Sequence, residues 1–470
     1  MPISRRDFAG IAIGAAPLTF AAAPKPPNFL FLFPDQHRYD WLSGNSVLPV
    51  QTPNLDSIAA RGVRFSKAFV ASPLCAPSRA CLASGKEYGR CRVRNNGENY
   101  PVEQTTYYRL LRDAGYHVAA CGKVDLHKAT QDWGLDGKRL LPEWGFSDGI
   151  NNEGKGDAIN SGAVTPKGPY MAYLHKRGLA AAHVADFRLR NKDGYAATWP
   201  TPLPEEAYCD NWVASNGLDL LRRAPRDKPW HLVVNFTGPH NPVDITPRME
   251  RSVRERTYPQ PNGSTEFTQS IHNTIRQNYT AMVENIDRLV GLFVDEVRRR
   301  GELDNTIVVF SSDHGEMLGD HDRWHKSVPY QQAVGVPLII GGPGIQRGLR
   351  SDALVSHIDI GATFLDFAGV PVPKDMDARS LRRVLEGKSR KHRDHLLSGL
   401  NSWRLACDGR YKLITGFDAS GEHAGRRQSD ANGQPAPLLF DLEADPAENR
   451  NIAASEPGVV KHLSQLISRT

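Results

Sequence analysis

Short apolar runs alternate along the chain with longer segments whose apolar residues recur at helical spacing. Residues 28–33 form a continuous apolar run between Pro27 and Pro34, which is typical of a buried, central strand of a parallel sheet. Similar runs predict strands near Phe69 and over 118–121, 231–236, 306–311 and 336–340, and helical spacing predicts helices over 55–65, 107–114, 212–223 and 277–299. This alternation predicts an α/β fold with a large wound, mainly parallel sheet flanked by helices.

Two regions depart from this pattern. Residues 129–205 are rich in Gly, Asn, Asp and Pro and have weak periodicity, which predicts irregular loops that cover a functional site. After about residue 390, apolar runs at 413–414 and 438–440 predict a short antiparallel sheet, and 456–468 predict a terminal helix. We therefore predict a main domain over residues 24–390 and a small C-terminal α+β subdomain over residues 391–470.

The first 23 residues are typical of an export signal. Twin arginines at Arg5 and Arg6 precede an apolar run over 11–20 and three alanines that end at Ala23. This order is characteristic of a bacterial twin-arginine signal peptide, and a frayed N-terminal helix is the alternative. The signal predicts a periplasmic or secreted protein. Beyond it, the runs fall short of the roughly 20 apolar residues of a membrane span, so we expect none in the mature chain.

Composition excludes several classes of protein. Of the 470 residues, 40% are hydrophobic and 23% are charged, so a sizeable core is expected and global disorder is not. The net charge of +6 is mild for this length and no basic stripe is present, so we expect no nucleic-acid partner, although anionic substrates are mildly favoured. The six cysteines lack paired C-x-x-C units, which argues against a disulfide scaffold or a structural zinc site.

Polar residues follow the predicted strands directly. Asp35 and Gln36 follow the first strand, and Asp313 and His314 follow the strand over 306–311. In a wound parallel sheet, ligands gather at the carboxyl ends of the strands. Two carboxylates, an amide and an imidazole form a hard-to-borderline site for a divalent cation.

A cysteine and several basic residues belong to the same predicted edge. Pro77 suits the first turn of a helix, which places Cys75 at a helix N-terminus where an anion is favoured. An ordinary buried cysteine is the alternative for this segment taken alone. The basic residues that can hold a tetrahedral oxyanion against the cation are Arg79, Lys123, His240 and Lys326.

The segment Cys75-x-Pro-Ser-Arg79, followed by Ser84-Gly85-Lys86, resembles the signature of the type I, formylglycine-dependent sulfatases of the alkaline-phosphatase superfamily. Ala83 stands where the signature usually has Leu, at a packing position. Further family-like blocks follow in order over nearly all of the mature chain, among them 27–36, 115–123, 313–315, 326–337 and 439–446. The resemblance implies an alkaline-phosphatase-like fold and a sulfatase catalytic domain over residues 24–390.

The resemblance also implies the chemistry of the nucleophile and the cation. Cys75 is then oxidised by a formylglycine-generating enzyme, and the hydrated formylglycine attacks the sulfur of a sulfate ester. The implied ligands of one divalent metal are Asp35, Gln36, Asp313 and His314, together with the modified Cys75. The family favours Ca²⁺, and Mn²⁺ or Mg²⁺ are the alternatives, since an imidazole suits Mn²⁺ better than Ca²⁺.

Further roles follow from the same resemblance. His240 matches the histidine that protonates the leaving oxygen, Lys123 and Lys326 match lysines that hold the sulfate, and Arg79 orients the hydrated aldehyde.

A further position departs from the family pattern. The family often has a histidine two residues after the first lysine, where this chain has Asp125. We assign that histidine's role to His127; the alternative is that the role is lost. Substrate contacts are predicted beside the motif residues, at His37, Arg38, Asp125, Asn241, Trp324 and His325. His37 and Arg38 either read a second anionic group or form a solvated turn.

These observations favour a sulfatase that acts on a sulfated small molecule, most readily a sugar or glycan fragment at a chain end. The presence of Gln36 and His314 at these two metal-ligand positions resembles choline sulfatases and phosphonate monoester hydrolases. A phosphonate monoester or phosphodiester hydrolase of the same superfamily is therefore an alternative. A chain in which Cys75 stays unmodified would be a non-catalytic sulfate-binding protein. An ordinary thiol enzyme would explain neither Asp35 nor Asp313.

Overall fold

The computed structural model describes residues 25–44, 48–418 and 435–468, so the predicted signal peptide lies outside the described residues. Within them, the main sheet has eight strands in the spatial order Asp148–Asn151, His117–Gly122, Trp230–Asn235, Asn28–Leu32, Thr306–Ser311, Leu338–Gly341, Gly62–Phe65 and Leu349–Ser351. The strand Asn28–Leu32 is parallel to both of its neighbours, and Leu338–Gly341 is antiparallel to both of its own. The predicted wound, mainly parallel sheet is confirmed.

The first strand is buried on both of its faces, which explains its continuous apolar sequence. Phe29, Phe31 and Phe33 belong to one hydrophobic cluster, whereas Leu30 and Leu32 belong to another. Because successive side chains of a strand point to opposite faces, the two clusters lie on opposite sides of the sheet. The sheet is therefore the middle layer of three, as the apolar run predicts.

Helices cover both faces of the sheet. The longest begins at Gln269, where the Thr268 hydroxyl accepts a hydrogen bond from the backbone N–H of Ile271 and caps the helix. No helix among the described residues is long and apolar enough to cross a bilayer. The α-helices are Pro53–Ala60, Cys75–Ser84, Tyr107–Asp113, Leu141–Trp144, Lys155–Gly162, Pro169–Lys176, Ala180–Asp193, Cys209–Arg223, Pro247–Val253, Gln269–Arg299, Gln331–Val334, Asp359–Phe367, Arg382–Leu385 and Pro457–Ile467.

The structure corrects the helix predicted over residues 55–65. The helix is Pro53–Ala60, and Gly62–Phe65 is a strand of the main sheet. A Cβ atom at Gly62 would lie 1.9 Å from the backbone oxygen of Ile340 on the neighbouring strand. The glycine therefore permits the close strand pairing that helical spacing alone does not reveal.

The structure also corrects the description of residues 129–205 as irregular. This stretch contains four of the helices above and the edge strand Asp148–Asn151. Its prolines and glycines mark helix ends: Pro169 opens one helix, and Gly194 with φ of 56° follows another. Part of the stretch still reaches the candidate site, because Tyr195 lies there.

The C-terminal region forms the predicted antiparallel sheet, and Pro457–Ile467 is the predicted terminal helix. The sheet strands, in spatial order, are Leu396–Leu400, Trp403–Cys407, Tyr411–Thr415 and Leu438–Asp441. A separate parallel pair joins Ala68–Phe69 to Val355–Ser356.

A buried ion pair joins the C-terminal sheet to the main domain. The Lys412 ammonium contacts Glu448 and donates to the backbone oxygen of Pro329 at 2.9 Å. Glu448 in turn accepts from the backbone N–H of Gln331 at 2.6 Å. Both side chains are fully buried, so this pair fixes the segment that follows Lys326.

Replacing Glu448 with alanine is expected to lower the free energy of unfolding by about 3–5 kcal/mol, because it leaves a buried ammonium without its carboxylate. Chemical denaturation of the two proteins measures the difference. The matched control is Glu443→Ala, since that carboxylate is exposed and lies 3.9 Å from an exposed arginine. Equal losses in the two variants would contradict the role assigned to the pair.

Candidate active site

The two strand-end carboxylates lie side by side, as the sequence predicts. Asp35 follows Asn28–Leu32 and Asp313 follows Thr306–Ser311, and these strands are neighbours in the sheet. The backbone N–H of Gln36 donates to Asp313 Oδ1 at 3.0 Å. Both carboxylates are fully buried, which is costly unless cations face them.

Four side chains form a compact set of potential metal ligands. Ligand atoms of Asp35, Cys75, Asp313 and His314 all lie within 4.8 Å of one another. The His314 Nδ1 atom is 3.0 Å from the backbone oxygen of Gly315, so Nδ1–H donates there and Nε2 presents its lone pair to the cluster. Nε2 lies 3.3 Å from Cys75 Sγ and 3.5 Å from Asp35 Oδ1. The donor set fits one divalent cation.

The Gln36 side chain is oriented by groups on both sides. Its Nε2 donates to the Glu316 carboxylate and lies 3.4 Å from the Tyr195 hydroxyl, and its Oε1 accepts from the Lys326 ammonium. Since a carboxylate only accepts hydrogen bonds, Glu316 holds the amide with its oxygen toward Lys326. Neither Glu316 nor Tyr195 was predicted. The position of Glu316, directly after Gly315, is the sequence signal that could have identified it.

Two basic side chains pair with the carboxylates. The Lys123 ammonium contacts Asp35 and lies 3.1 Å from Asp125 Oδ2, and Arg79 Nε donates to Asp313 Oδ2 at 2.9 Å. Burial acts to raise the pKa of Asp35, but the positive charges, with Lys123 foremost, hold it well below its usual value. Burial likewise opposes the charge of Lys123, yet Asp125 and Asp35 raise its pKa well above the usual value. These groups remain charged at neutral pH.

The predicted nucleophile begins the helix Cys75–Ser84, and its side chain is buried. Burial and then the Asp35 carboxylate act to raise the pKa of its thiol. The ammonium groups of Lys123 and Lys326 outweigh them, and the pKa is lowered to about 6. The position therefore stabilises negative charge on the side chain, as a nucleophile requires.

His240 and Lys326 form a directly bonded pair. His240 Nε2 lies 2.6 Å from Lys326 Nζ, and His240 Nδ1 lies 2.6 Å from the backbone oxygen of Asn241. Burial and then the charge of Lys326 lower the pKa of His240 well below its usual value. The imidazole is therefore neutral, with Nδ1–H donating to Asn241 and Nε2 accepting from the ammonium.

The structure does not bring His127 to this cluster within the described part of the chain. Its ring lies beside Trp144, with centroids 6.2 Å apart. The reason is local: the backbone at Asp125 adopts φ of 56°, which turns the chain, and Lys128 points inward instead. Lys128 Nζ lies 3.1 Å from Asp125 Oδ2. Asp125 thus lies between two lysines, and Lys128 is a site residue that the sequence did not single out.

His37 and Arg38 are also directed away from the cluster. His37 is fully buried against Phe310, and its Nε2 lies 3.0 Å from the backbone oxygen of Trp41. Arg38 forms ion pairs at 2.7 Å with Asp40 and at 2.7 Å with Asp320. These buried contacts hold the turn after Gln36, so neither predicted substrate contact is placed at the site.

The remaining predicted substrate residues lie around an open cleft next to Lys326. Its volume is about 400 Å³, and it is called here the aromatic cleft. Trp324 stacks on Tyr195 with centroids 4.4 Å apart, and Asn241 Oδ1 lies 3.1 Å from His325 Nδ1. The cleft is lined by Asp193, Gly194, Tyr195, Glu266, Phe267, Asp322, Arg323, Trp324, His325, Lys326 and Val328.

A buried cysteine at a helix N-terminus, a set of potential cation ligands and two lysines at the carboxyl edge of a parallel sheet form an arrangement suited to a metal-assisted hydrolase of tetrahedral oxyacid esters. The family model described as Sulfatase matches residues 27–370, and the chain belongs to the sulfatase family. It is a sulfuric ester hydrolase.

Known relatives agree with this family, and a solved structure shares the fold. The chain is 27% identical to an arylsulfatase of Clostridium perfringens, over 92% of this chain and 91% of the relative. It is also 27% identical to an N-acetylglucosamine-6-O-sulfatase of Bacteroides thetaiotaomicron, over 95% of this chain and 86% of the relative. Its fold matches that of a phosphonate monoester hydrolase of Silicibacter pomeroyi with a TM-score of 0.76 at 21% identity, covering 94% of each chain.

Proposed function

We propose that this sulfatase removes a sulfate group from a sulfated sugar or glycan fragment in the periplasm or outside the cell. A formylglycine-generating enzyme first converts Cys75 to formylglycine, whose hydrate attacks the sulfur. The observation that carries the proposal is the position of Cys75, whose Sγ lies within the same 4.8 Å cluster as Asp35, Asp313 and His314. An ordinary structural cysteine would not face two carboxylates and an imidazole.

The cation would be held by Asp35, Asp313 and His314, with the Gln36 oxygen and the modified residue 75 completing the set. Ca²⁺ is the proposed ion, and Mn²⁺ or Mg²⁺ are the alternatives. When bound, the ion lowers the pKa of the hydrated aldehyde and withdraws charge from the sulfate oxygens.

Lys123 and Lys326 neutralise the remaining charge of the sulfate group. The charges of both ammonium groups act on Cys75, because both lower the pKa of its thiol. Arg79 holds Asp313 in place and donates from Nη1 to the backbone oxygen of Lys123 at 2.6 Å. Arg79 therefore fixes the position of Asp313 relative to the segment that carries Lys123.

His240 and Lys326 supply the proton for the leaving group. A sugar alkoxide is a poor leaving group unless its oxygen is protonated as the S–O bond breaks. The proton between Lys326 Nζ and His240 Nε2, which are 2.6 Å apart, belongs to the ammonium of Lys326, and Lys326 lines the aromatic cleft. We assign the step to a relay in which the Lys326 ammonium gives this proton to His240 Nε2, and Nε2 passes it to the leaving oxygen; His240 ends the step neutral and Lys326 regains a proton from solvent.

The aromatic cleft supports a sugar as the substrate. Tyr195, Phe267 and Trp324 give it an aromatic wall, and charged groups give it a polar rim. Apolar faces and polar edges alternate on a sugar ring in the same way. The N-acetylglucosamine-6-O-sulfatase among the relatives supports the same substrate class.

The experiment that tests the function first is the mass of the peptide containing Cys75, from protein co-produced with a formylglycine-generating enzyme. We expect the mass loss that accompanies conversion of the thiol side chain to an aldehyde. We also expect the converted protein to hydrolyse 4-nitrophenyl sulfate and the unconverted protein not to do so. A known sulfatase treated in parallel is the control. An unmodified thiol under conditions that convert this control would contradict the proposal and favour a sulfate-binding protein.

Two observations favour a phosphonate monoester hydrolase as the second candidate function. Gln36 stands where a carboxylate would add a negative charge, and the phosphonate monoester hydrolase fold matches along 94% of this chain. Comparing kcat/KM for 4-nitrophenyl sulfate and 4-nitrophenyl phenylphosphonate distinguishes the two. We expect the sulfate to be the better substrate; a tenfold preference for the phosphonate would overturn the sulfate assignment.

A further inference from the structure

A second cleft opens between the segment that follows the Cys75 helix and the C-terminal sheet. Its volume is about 540 Å³, within the range of sites that hold small ligands. Three arginines and two asparagines face it. It is called here the arginine cleft, and its lining residues are Tyr88, Gly89, Arg92, Arg94, Asn95, Asn401 and Arg404.

Tyr88 joins the two walls of the arginine cleft. Its hydroxyl donates to the backbone oxygen of Arg94 at 2.9 Å and accepts from the backbone N–H of Asn401 at 2.9 Å. The Arg404 guanidinium lies over the Tyr88 ring, 5.1 Å from the centroid, and its Nη1 donates to the backbone oxygen of Asn401 at 2.9 Å. The cleft is therefore organised before any ligand arrives.

Backbone strain occurs on both walls. Arg92 has φ of 64° and Asn401 has φ of 49°, and side-chain-bearing residues rarely adopt this region. Such conformations persist where surrounding contacts impose them, and they are common at binding sites. The strain is a second feature, besides the concave shape, that distinguishes this surface from an ordinary loop.

Each wall is bonded to a residue adjacent to the active centre. The Asn96 side chain accepts from the backbone N–H of Ala76, the residue after Cys75, at 3.0 Å. On the other wall, Trp403 Nε1 donates to the backbone oxygen of Ser327, the residue after Lys326, at 3.2 Å. Each wall of the arginine cleft is thus connected to the active centre through a residue beside its lining and a residue beside Cys75 or Lys326.

The charge of the arginine cleft is available to a ligand. Among the described residues, its lining includes no carboxylate. Arg92 pairs with Glu103 at 2.9 Å and Arg94 pairs with Glu98 at 2.8 Å, and these arginine side chains are 57% and 79% exposed. Exposed pairs contribute little free energy, so an incoming anion can replace these carboxylates. A guanidinium also binds sulfate or carboxylate through two parallel hydrogen bonds.

We propose that the arginine cleft binds a second anionic group of the substrate, a sulfate or carboxylate on the sugar next to the one that is desulfated. The substrate class is then a polyanionic glycan fragment rather than a singly sulfated sugar. This inference rests on the proposed function and adds a subsite to it.

Binding to the metal-loaded Cys75→Ala protein tests the subsite without consuming the ligand. The probes are two disaccharides that end in 6-O-sulfated glucosamine and differ only in a sulfate on the second sugar. Calorimetry should show the disulfated probe binding at least tenfold more tightly. Adding Arg94→Gln or Arg404→Gln should reduce this preference at least threefold and leave binding of the monosulfated probe unchanged.

The matched control is Arg382→Gln, because Arg382 is also exposed and pairs with Glu386 at the same i,i+4 spacing as Arg94 and Glu98. It should keep the full preference. Equal affinity for the two probes, or a preference that survives Arg94→Gln and Arg404→Gln, would overturn the subsite.

Turnover separates this inference from the proposed function. In otherwise wild-type enzyme, Arg94→Gln should leave kcat/KM for 4-nitrophenyl sulfate unchanged, since that ester carries no second anion. If Arg94→Gln lowered kcat/KM for this small ester by the same factor as the preference for the disulfated probe, the substitution would distort the whole site. That result would overturn the subsite. An enzyme that hydrolyses no sulfate ester, but whose binding preference depends on Arg94, would contradict the proposed function and retain the subsite.

Discussion

Cys75→Ala is expected to lower kcat/KM for sulfate esters by about 10⁴-fold or more, the usual consequence of removing a nucleophile. The side chain lies at the first turn of its helix and faces Asp35, His314 and the two site lysines. Its removal deletes one sulfur atom from a buried position, so the stability loss should be small beside the loss of rate. Assays with 4-nitrophenyl sulfate and thermal denaturation of the same preparations measure the two effects.

Cys81 provides a matched control for this prediction. It lies on the same helix, is also fully buried, and packs in the hydrophobic cluster away from the carboxylates. Cys81→Ala should therefore cost a similar amount of stability and retain most of the turnover. Wild-type turnover in Cys75→Ala would exclude it as the nucleophile. An equal loss of turnover in both variants would mean that helix packing, and not the side chain at position 75, limits the rate.

The strand pattern predicted the centre of the site because the carboxyl ends of neighbouring parallel strands lie at the same edge of a sheet. Asp35 follows the buried strand Asn28–Leu32 and Asp313 follows Thr306–Ser311, so both carboxylates reach one edge because the strands are parallel neighbours. Lys123 follows His117–Gly122 in the same way, whereas Cys75 was predicted from its motif at the start of a helix. Residues that follow strands directly were therefore predictable from the sequence.

Residues placed by turns were not predictable in the same way. Gln36 adopts φ of 68°, so the next residues, His37 and Arg38, turn into the interior and not toward substrate. Asp125 adopts φ of 56°, and Lys128 is directed inward in place of His127. Sequence spacing gives the number of residues between two side chains, but not the direction in which a turn sends them.

Contacts across long stretches of sequence were missed for a different reason. Glu316 orients Gln36 from 280 positions away, and Tyr195 reaches the same amide from the stretch that lacked clear periodicity. Tyr195 has no local signal, and the position of Glu316 after Gly315 does not show which distant side chain it orients. Their common role is to fix an amide that, unlike a carboxylate, has only one end suited to a cation.

Asp313→Asn is expected to lower metal affinity at least about 100-fold and to reduce activity in parallel. The substitution keeps the size of the side chain but removes a negative charge from the cluster. It also removes the charged partner of Arg79 Nε, which lies 2.9 Å from Asp313 Oδ2. Metal content after dialysis against a weak chelator and turnover at saturating metal separate binding from catalysis.

Asp359→Asn is the control for loss of a buried charge. Asp359 is fully buried and paired with Arg393, as Asp313 is with Arg79, but it is not among the clustered ligand atoms. Both variants should therefore lose stability by leaving a buried guanidinium poorly paired. Only Asp313→Asn should lose the metal. Retention of metal and activity in Asp313→Asn would remove this carboxylate from the ligand set, whereas metal loss in both variants would show that the site depends on global packing.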